Sequence, residues 1–301
     1  MARTQYFLGG NTAHGFYSLY DSLCPPENGD FLWILKGGPG CGKSSFLKKL
    51  GAAAEAHGLD VEYVLCSGDP DSLDGVYIPA LRLGYADGTA PHALEPKLPA
   101  VSGLYLDLGQ FYDREALKAH SDEIRRLHEA YRAHYQTAYR ILSAASGAAE
   151  AAAGERTEPH LSFTAVHERP GRLSRRFSRA LGCKGLVEAE KHTGRKIGTP
   201  ADLAALQKRA LAAGYDVVAY ANPILPELTE RIDLPQLGKR FLADVRFLED
   251  AFSPFLCDAV QELIAAKELH DELEAVYNPH VDFEAVYSLA DRQIKNVFPD
   301  V

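Results

Sequence analysis

No stretch of about 18 consecutive apolar residues occurs in this chain, which rules out an ordinary helical membrane span. Residues 1–15 lack the long apolar core of a secretory signal. The five cysteines, Cys24, Cys41, Cys66, Cys183 and Cys257, are odd in number and contain no C-x-x-C pair. That argues against a zinc site or a disulfide framework, and for a reducing, cytoplasmic setting. Basic residues are in deficit: 32 Lys and Arg against 41 Asp and Glu leave a net charge of −9, a poor match for nucleic acid or an anionic membrane. Neither a histidine ligand cluster nor a Ser/His/Asp hydrolase pattern is found. What remains is 301 residues, 46% hydrophobic and 24% charged, the balance of an ordinary folded protein with room for two domains.

One stretch carries chemistry. Phe31 to Leu35 is a short run of large apolar residues, read as a buried strand, and it leads into Lys36-Gly37-Gly38-Pro39-Gly40-Cys41-Gly42-Lys43-Ser44-Ser45. A helix is expected from Ser45 to His57, closed by Gly58, and a second strand from Val61 to Leu65. Gly37-x-x-x-x-Gly42-Lys43-Ser44 is the P-loop pattern. Glycines let successive N–H groups curl around phosphate oxygens, and the helix N-terminus adds partial positive charge. Lys43 then reaches the outer phosphates and the Ser44 hydroxyl ligates magnesium. Residues Gly37 to Ser45 are therefore the candidate cofactor-binding set.

Phosphoryl transfer also needs a carboxylate at a neighbouring strand end. The candidates are Asp69, Asp87 and Asp107; Asp87 is preferred because it ends Leu83-Gly84-Tyr85-Ala86, whereas Asp107 lies in the apolar run Leu104 to Leu108 and Asp69 suits a turn. Lys43 and Asp87 form the candidate catalytic pair, and Ser44 and Asp87 the magnesium ligands. Asn11, Thr12 and His14 are expected in a polar loop near the nucleotide, with His92 as a γ-phosphate contact and Arg140 as a mobile cation. Cys41 is weighed as a redox-sensitive thiol. From Asp113 to about Ala153 the spacing of Ile124, Leu127, Tyr131, Tyr135, Tyr139 and Leu142 predicts one or two long helices.

The second half echoes the first. A shift of 156 residues superposes Phe7 on Phe163, Gly15 on Gly171, Ser18 on Ser174, Gly42 on Gly198, Leu47 on Leu203, Val61 on Val217 and Pro79 on Pro235. Two tandem units follow, residues 1–156 with a helical insert at about 113–153, and residues 157–301. In the copy, Gly198-Thr199-Pro200 replaces Gly42-Lys43-Ser44, and Val187 to Lys191 stands where the preceding strand is expected, carrying charges. The lysine and the hydroxyl are gone, so a single nucleotide site is expected, with Arg195 or Lys196 as the alternative phosphate contact. Arg169, Arg172, Arg175, Arg176, Arg179 and Lys184 form a basic stretch, read as a solvated helix face or a contact with acids such as Glu123 and Glu129; it keeps a nucleic-acid partner open.

The runs Phe7 to Asp21, Cys66 to Val76, Asp87 to His92 and Leu106 to Tyr112, taken with the P-loop, resemble a family of bacterial cytoplasmic P-loop ATPase-like proteins built from two fused P-loop halves. The resemblance is close over residues 6–142 and looser beyond, and implies binding of ATP or GTP. Relatives tend to keep a P-loop in the second half; Thr199 and Pro200 depart from that. The expected fold is α/β, a P-loop NTPase-type parallel sheet flanked by helices, in tandem with a helical insert. The expected function is magnesium-dependent ATP hydrolysis coupled to a conformational change or an unidentified protein partner. The alternatives are a small-molecule or nucleotide kinase and a non-catalytic, nucleotide-gated interaction module.

Overall fold

Strand, glycine loop, helix and strand follow one another as the pattern requires in the structure, a computed structural model that describes residues 2–150 and 169–299. The chain begins with β1 (Arg3–Phe7), β2 (Gly9–Thr12), β3 (Gly15–Ser18), β4 (Phe31–Lys36) and α1 (Lys43–Ala56). It continues with β5 (Val61–Leu65), β6 (Leu73–Ile78), β7 (Leu83–Asp87), β8 (Gly103–Asp107), α2 (Arg114–Lys118) and α3 (Ser121–Glu150). Beyond residue 168 come β9 (Leu173–Arg176), β10 (Arg179–Gly182), β11 (Gly185–Glu188), β12 (Arg195–Lys196) and α4 (Pro200–Ala212). The last elements are β13 (Val217–Ala221), β14 (Thr229–Leu234), β15 (Lys239–Leu242), α5 (Arg246–Tyr277) and α6 (Phe283–Val297). Among the described residues no helix is long and apolar enough to cross a membrane.

These residues group into two units, each discontinuous in sequence. The first holds Met1–Tyr6, Leu23–Tyr135 and Glu262–Val301; the second holds Phe7–Ser22 and Gln136–Gln261. The expected boundary at residue 156 lies outside the described residues, and each unit draws on both sides of it.

In the first unit a six-stranded sheet has the order β1-β5-β6-β7-β4-β8. The α/β class holds, but the sheet is mixed where a parallel one is expected from the sequence. β4 is parallel to β7 and β8, whereas β6 runs antiparallel to both of its neighbours, β5 and β7. Connection length explains the correction. Residues 66–72 and 79–82 are too few for a crossover, so the chain turns back beside itself. α1 buries Phe46, Leu47, Leu50 and Ala54 at helical spacing, and Gly58, at φ +75°, follows its end in the left-handed conformation expected there. At the other end of α5, Asp282 caps α6 through the Ala285 N–H, as Asp113 caps α2 through Ala116. The two caps are joined: the Asp113 N–H donates to the His280 carbonyl and the Asp282 N–H to that of Phe111. This pins the turn after α5 beside residues 109–113.

The second unit has a five-stranded sheet of order β12-β15-β14-β13-β9 and two hairpins, β2–β3 and β10–β11. From the helix onward its elements match the first half at the 156-residue spacing: β5 with β13, β6 with β14, and the 3-10 turns Pro79–Leu81 and Pro235–Leu237. Before the helix the spacing is 170, not 156. β2 and β3 match β10 and β11, so Gly15 corresponds to Gly185, both at positive φ in the hairpin turn, rather than to Gly171. Phe7 corresponds to Phe177, and the two exchange main-chain hydrogen bonds; Phe163 lies outside the described residues. Ser18 likewise matches Glu188 and not Ser174. The register slips because residues 19–42, between β3 and α1, shrink to residues 189–199 between β11 and α4. Val187 and Glu188 accordingly belong to a hairpin, and the strand that leads into α4 is the two-residue β12.

Candidate phosphate-binding loop

The loop Gly37 to Gly42 joins the end of β4 to the start of α1 in the first unit. Gly40 and Gly42 take φ of +67° and +86°, left-handed values that a side chain resists. The Lys43 ammonium folds over the loop, donating to the Gly37 and Gly38 carbonyls at 2.9 Å each. Burial works against its charge, but Asp87 first, then Cys41, Glu274 and Asp74, outweigh that and raise its pKa. The Ser44 hydroxyl accepts from the Leu73 N–H at 3.0 Å, and Ser45 is exposed on the first helical turn. Cys41 is buried, and burial raises its thiol pKa despite the neighbouring Lys43. That disfavours the thiolate a redox sensor needs.

Of the three carboxylates, Asp87 comes to the loop. β7 is parallel to β4 with Leu35 opposite Asp87, which sets its Oδ2 3.7 Å from the Lys43 Nζ. Its Oδ1 accepts from the Thr89 N–H at 2.7 Å, and the Thr89 hydroxyl donates to the Gly37 carbonyl at 2.8 Å. Asp107 ends β8 opposite Lys36 but turns to accept from the Gly109 N–H. Asp69 accepts from the Asp71 N–H within its turn and lies 3.5 Å from Lys267.

Other chain segments close on the same loop. The Gly40 N–H donates to Glu274 Oε1 of α5 at 3.2 Å, and the Tyr112 hydroxyl donates to the Pro39 carbonyl at 2.7 Å. A Cβ on Gly40 would lie 2.5 Å from Asn278 Oδ1, and one on Gly42 would rest against Phe283 and Val286 of α6 at 3.5 Å. Glu274 and Asn278 are missed by sequence reasoning, because residues more than 230 positions away carry no local signature.

The remaining expected residues make other contacts. Asn11, Thr12 and His14 belong to the β2–β3 hairpin of the second unit. There Asn11 donates to the Leu181 carbonyl and accepts from Tyr139, Thr12 donates to the Gly15 carbonyl, and His14 lies 3.2 Å from Glu227. His92 is 3.3 Å from Asp74, both side chains buried. Arg140 bonds Thr137 in the second-unit part of α3. Tyr139, of the tyrosine stripe, is buried enough that its pKa is raised. The basic stretch is strand where a helix face is expected, β9 and β10 in a sheet and a hairpin. Arg175 donates to the Pro226 carbonyl, Arg169 lies 3.6 Å from Asp216, and Arg179 is spent on Glu230 and Glu249. Glu123 has His120 as its neighbour instead, at 3.6 Å.

At the matching place in the second unit, three residues, Ile197 to Thr199, replace the six of the loop. Thr199 caps α4: its hydroxyl accepts from the Asp202 N–H, and Asp202 Oδ2 accepts from the Thr199 N–H at 2.8 Å. The acid at the start of the hairpin strand, Asp74 in the first unit, becomes Glu230, fully buried on Arg179 at 2.7 Å and Asn222 at 3.1 Å. Arg195 and Lys196, the alternative phosphate contacts, are exposed on β12.

Comparison with family models, with curated proteins and with solved structures finds no match.

Proposed function

We propose that the first unit binds a nucleoside triphosphate, ATP or GTP, with magnesium at Gly37–Ser45, and hydrolyses it. One observation carries this reading: Lys43, at the N-terminus of α1, has a strand-end carboxylate 3.7 Å away in Asp87, on a loop bent by glycines. A simple glycine turn needs neither the half-buried lysine nor the parallel neighbour strand that delivers the acid. The main-chain N–H groups from Gly40 to Lys43 take the phosphates, together with the positive end of α1. Lys43 now bonds two carbonyls of its own loop and exchanges them for phosphate oxygens, which are stronger acceptors for a cation. Asp87 stays held by the Thr89 N–H while its other oxygen faces the site.

The residues present fit magnesium. A hydroxyl and a carboxylate are hard oxygen donors, and this ion is usually held by one or two protein oxygens plus phosphate. Ser44 uses one lone pair on the Leu73 N–H and keeps another, so Ser44 and Asp87 would hold the ion. When bound, magnesium neutralises charge building on the phosphoryl oxygens. Coupling to a conformational change or a protein partner is part of the same proposal.

Calorimetric titration with ATP and magnesium tests it. The expected outcome is saturable binding that weakens about a hundredfold in Lys43→Ala, the scale of losing a buried charge-assisted contact. Equal binding by the two proteins removes the proposal.

A further inference from the structure

We propose that Glu274 is an internal substitute for phosphate, which keeps the loop closed to nucleotide until α5 releases it. The inference rests on the nucleotide reading and adds regulation to that site. A carboxylate and a phosphate present the same feature to an amide, an anionic oxygen, and the Gly40 N–H that would serve phosphate already donates to Glu274 Oε1 at 3.2 Å. Two anions cannot share that donor and the field of Lys43 without repulsion, so occupation by one excludes the other.

The position of Glu274 makes a merely structural role a poor account. It lies in the last turn of α5, which ends at Tyr277. Helix carbonyls there disfavour negative charge. The compensation comes from the loop: the Gly40 N–H and the nearby Lys43. The end of α5 is also fitted to the loop. Asn278 Oδ1 and the Glu274 carbonyl lie 2.5 Å and 3.2 Å from where a Cβ on Gly40 would be, so only glycine admits this approach. Tyr112, which holds the Pro39 carbonyl, packs its ring 5.3 Å from that of Tyr277. The loop is thus held by Glu274 and Asn278 at the α5 terminus and by Tyr112, which packs against it.

The side chain is 39% exposed, so the contact is modest, and releasing it should tighten nucleotide binding about fivefold. The experiment titrates the full chain with ATP and magnesium in five forms: wild type, Glu274→Ala, Glu274→Gln, Asp271→Ala and Lys43→Ala. The expected order places Glu274→Ala three- to tenfold tighter than wild type, and Glu274→Gln between them, since its neutral oxygen still accepts. Asp271→Ala, which removes an exposed acid one residue beyond His270, should stay within twofold. Binding by Glu274→Ala equal to or weaker than wild type overturns the latch and leaves the nucleotide reading standing, provided Lys43→Ala remains weak. Equal tightening by Asp271→Ala overturns it as a general charge effect. No binding by any form removes the nucleotide reading and the latch with it. Hydrogen exchange without nucleotide gives a second readout: the Gly40 amide should exchange several-fold faster in Glu274→Ala, and unchanged exchange there, with the rest of the chain protected, overturns the latch.

Discussion

The two halves repeat one helix and the strand pair that follows it but differ in how the anion-hungry end of that helix is satisfied. In the first, six residues separate β4 from α1, and the loop's donors meet groups from distant segments: Asp87 of β7 and Glu274 of α5. In the second, three residues separate β12 from α4, and the helix start is capped by its own Thr199 and Asp202. Pro200, at the first helical position, has no N–H to offer. The strand pair after the helix is not what differs, since β13 and β14 repeat β5 and β6 residue for residue in length. Under the proposed function, capacity for a ligand resides in the connection. A helix terminus capped from within is finished, whereas one left to distant, displaceable groups can exchange them for something else.

The largest expected effect lies in the finished copy. Glu230, fully buried, relies on Arg179 for its countercharge, and Arg179→Met strands it. Urea denaturation should show a loss of about 3 kcal/mol, the scale of breaking a buried pair, and Arg179→Met with Glu230→Gln should recover most of it. In the first unit the corresponding acid, Asp74, has His92 beside it at 3.3 Å, and His92→Phe should cost less. Equal losses would mean that the two acids depend equally on their buried partners and would break the distinction.

Next is stoichiometry. If only the first unit binds, calorimetry reads one nucleotide per chain, and Lys43→Ala, about a hundredfold weaker, leaves no second class of sites. A ratio near two, or loss of a site on changing Arg195 and Lys196 to alanine, erases the contrast between the halves.

Much of the first half is legible along the chain because its signals are local. Phe31 to Leu35 is apolar, the glycines of the loop fall before a helical period, and Gly58 stands where a left-handed residue is wanted. Asp113 likewise marks the start of the helices to within a residue. Pairing is not local. Nothing in Val76 to Ile78 says that its neighbours run antiparallel; that follows from how few residues join β5, β6 and β7. The hairpin register was hidden for a similar reason. Shortening the segment before α4 moves the match of Gly15 from Gly171 to Gly185, and a gapless comparison cannot see a deletion. Asp87 was legible as a strand end, Glu274 not at all, because nothing along residues 246–277 marks their last turn as facing a loop more than 230 positions away.

A pH effect belongs to the second unit. Burial first, then Arg179 and Arg231, hold the His192 pKa down to about 4, against about 6.5 when unfolded. Between these values the unfolded chain binds the proton and the folded one does not, so the contribution is full above pH 6.5 and is lost as pH falls toward 4. Asp233 acts in the opposite sense on the imidazole, and Ser178 and Glu230 also face it. Glu230, whose own pKa burial raises, offsets part of the slope, but it is common to wild type and His192→Asn. Wild type should therefore lose about 2 kcal/mol more than His192→Asn between pH 7 and 4 by urea denaturation. Parallel curves would mean that His192 is accessible to protons in the folded state.

The smallest effect sharpens the comparison most, because it sets against each other the two hydroxyls that stand at the helix starts, although Thr199 occupies the place of Lys43 and Pro200 that of Ser44. Ser44 and Thr199 each place a hydroxyl at the start of the repeated helix. Thr199 caps α4, accepting from the Asp202 N–H, so Thr199→Ala should cost about 1 kcal/mol of stability and change no nucleotide titration. Ser44 follows a glycine-bent loop and accepts from the Leu73 N–H, a strand donor rather than a helix one. Ser44→Ala should cost a similar or smaller amount of stability, yet abolish the gain in affinity that magnesium gives ATP in wild type. The measurement is titration of both variants with ATP, with and without magnesium, beside thermal denaturation. If Ser44→Ala keeps its magnesium response, its hydroxyl is only the strand's acceptor, the two helix starts are equally finished, and the difference between the halves shrinks to loop length alone.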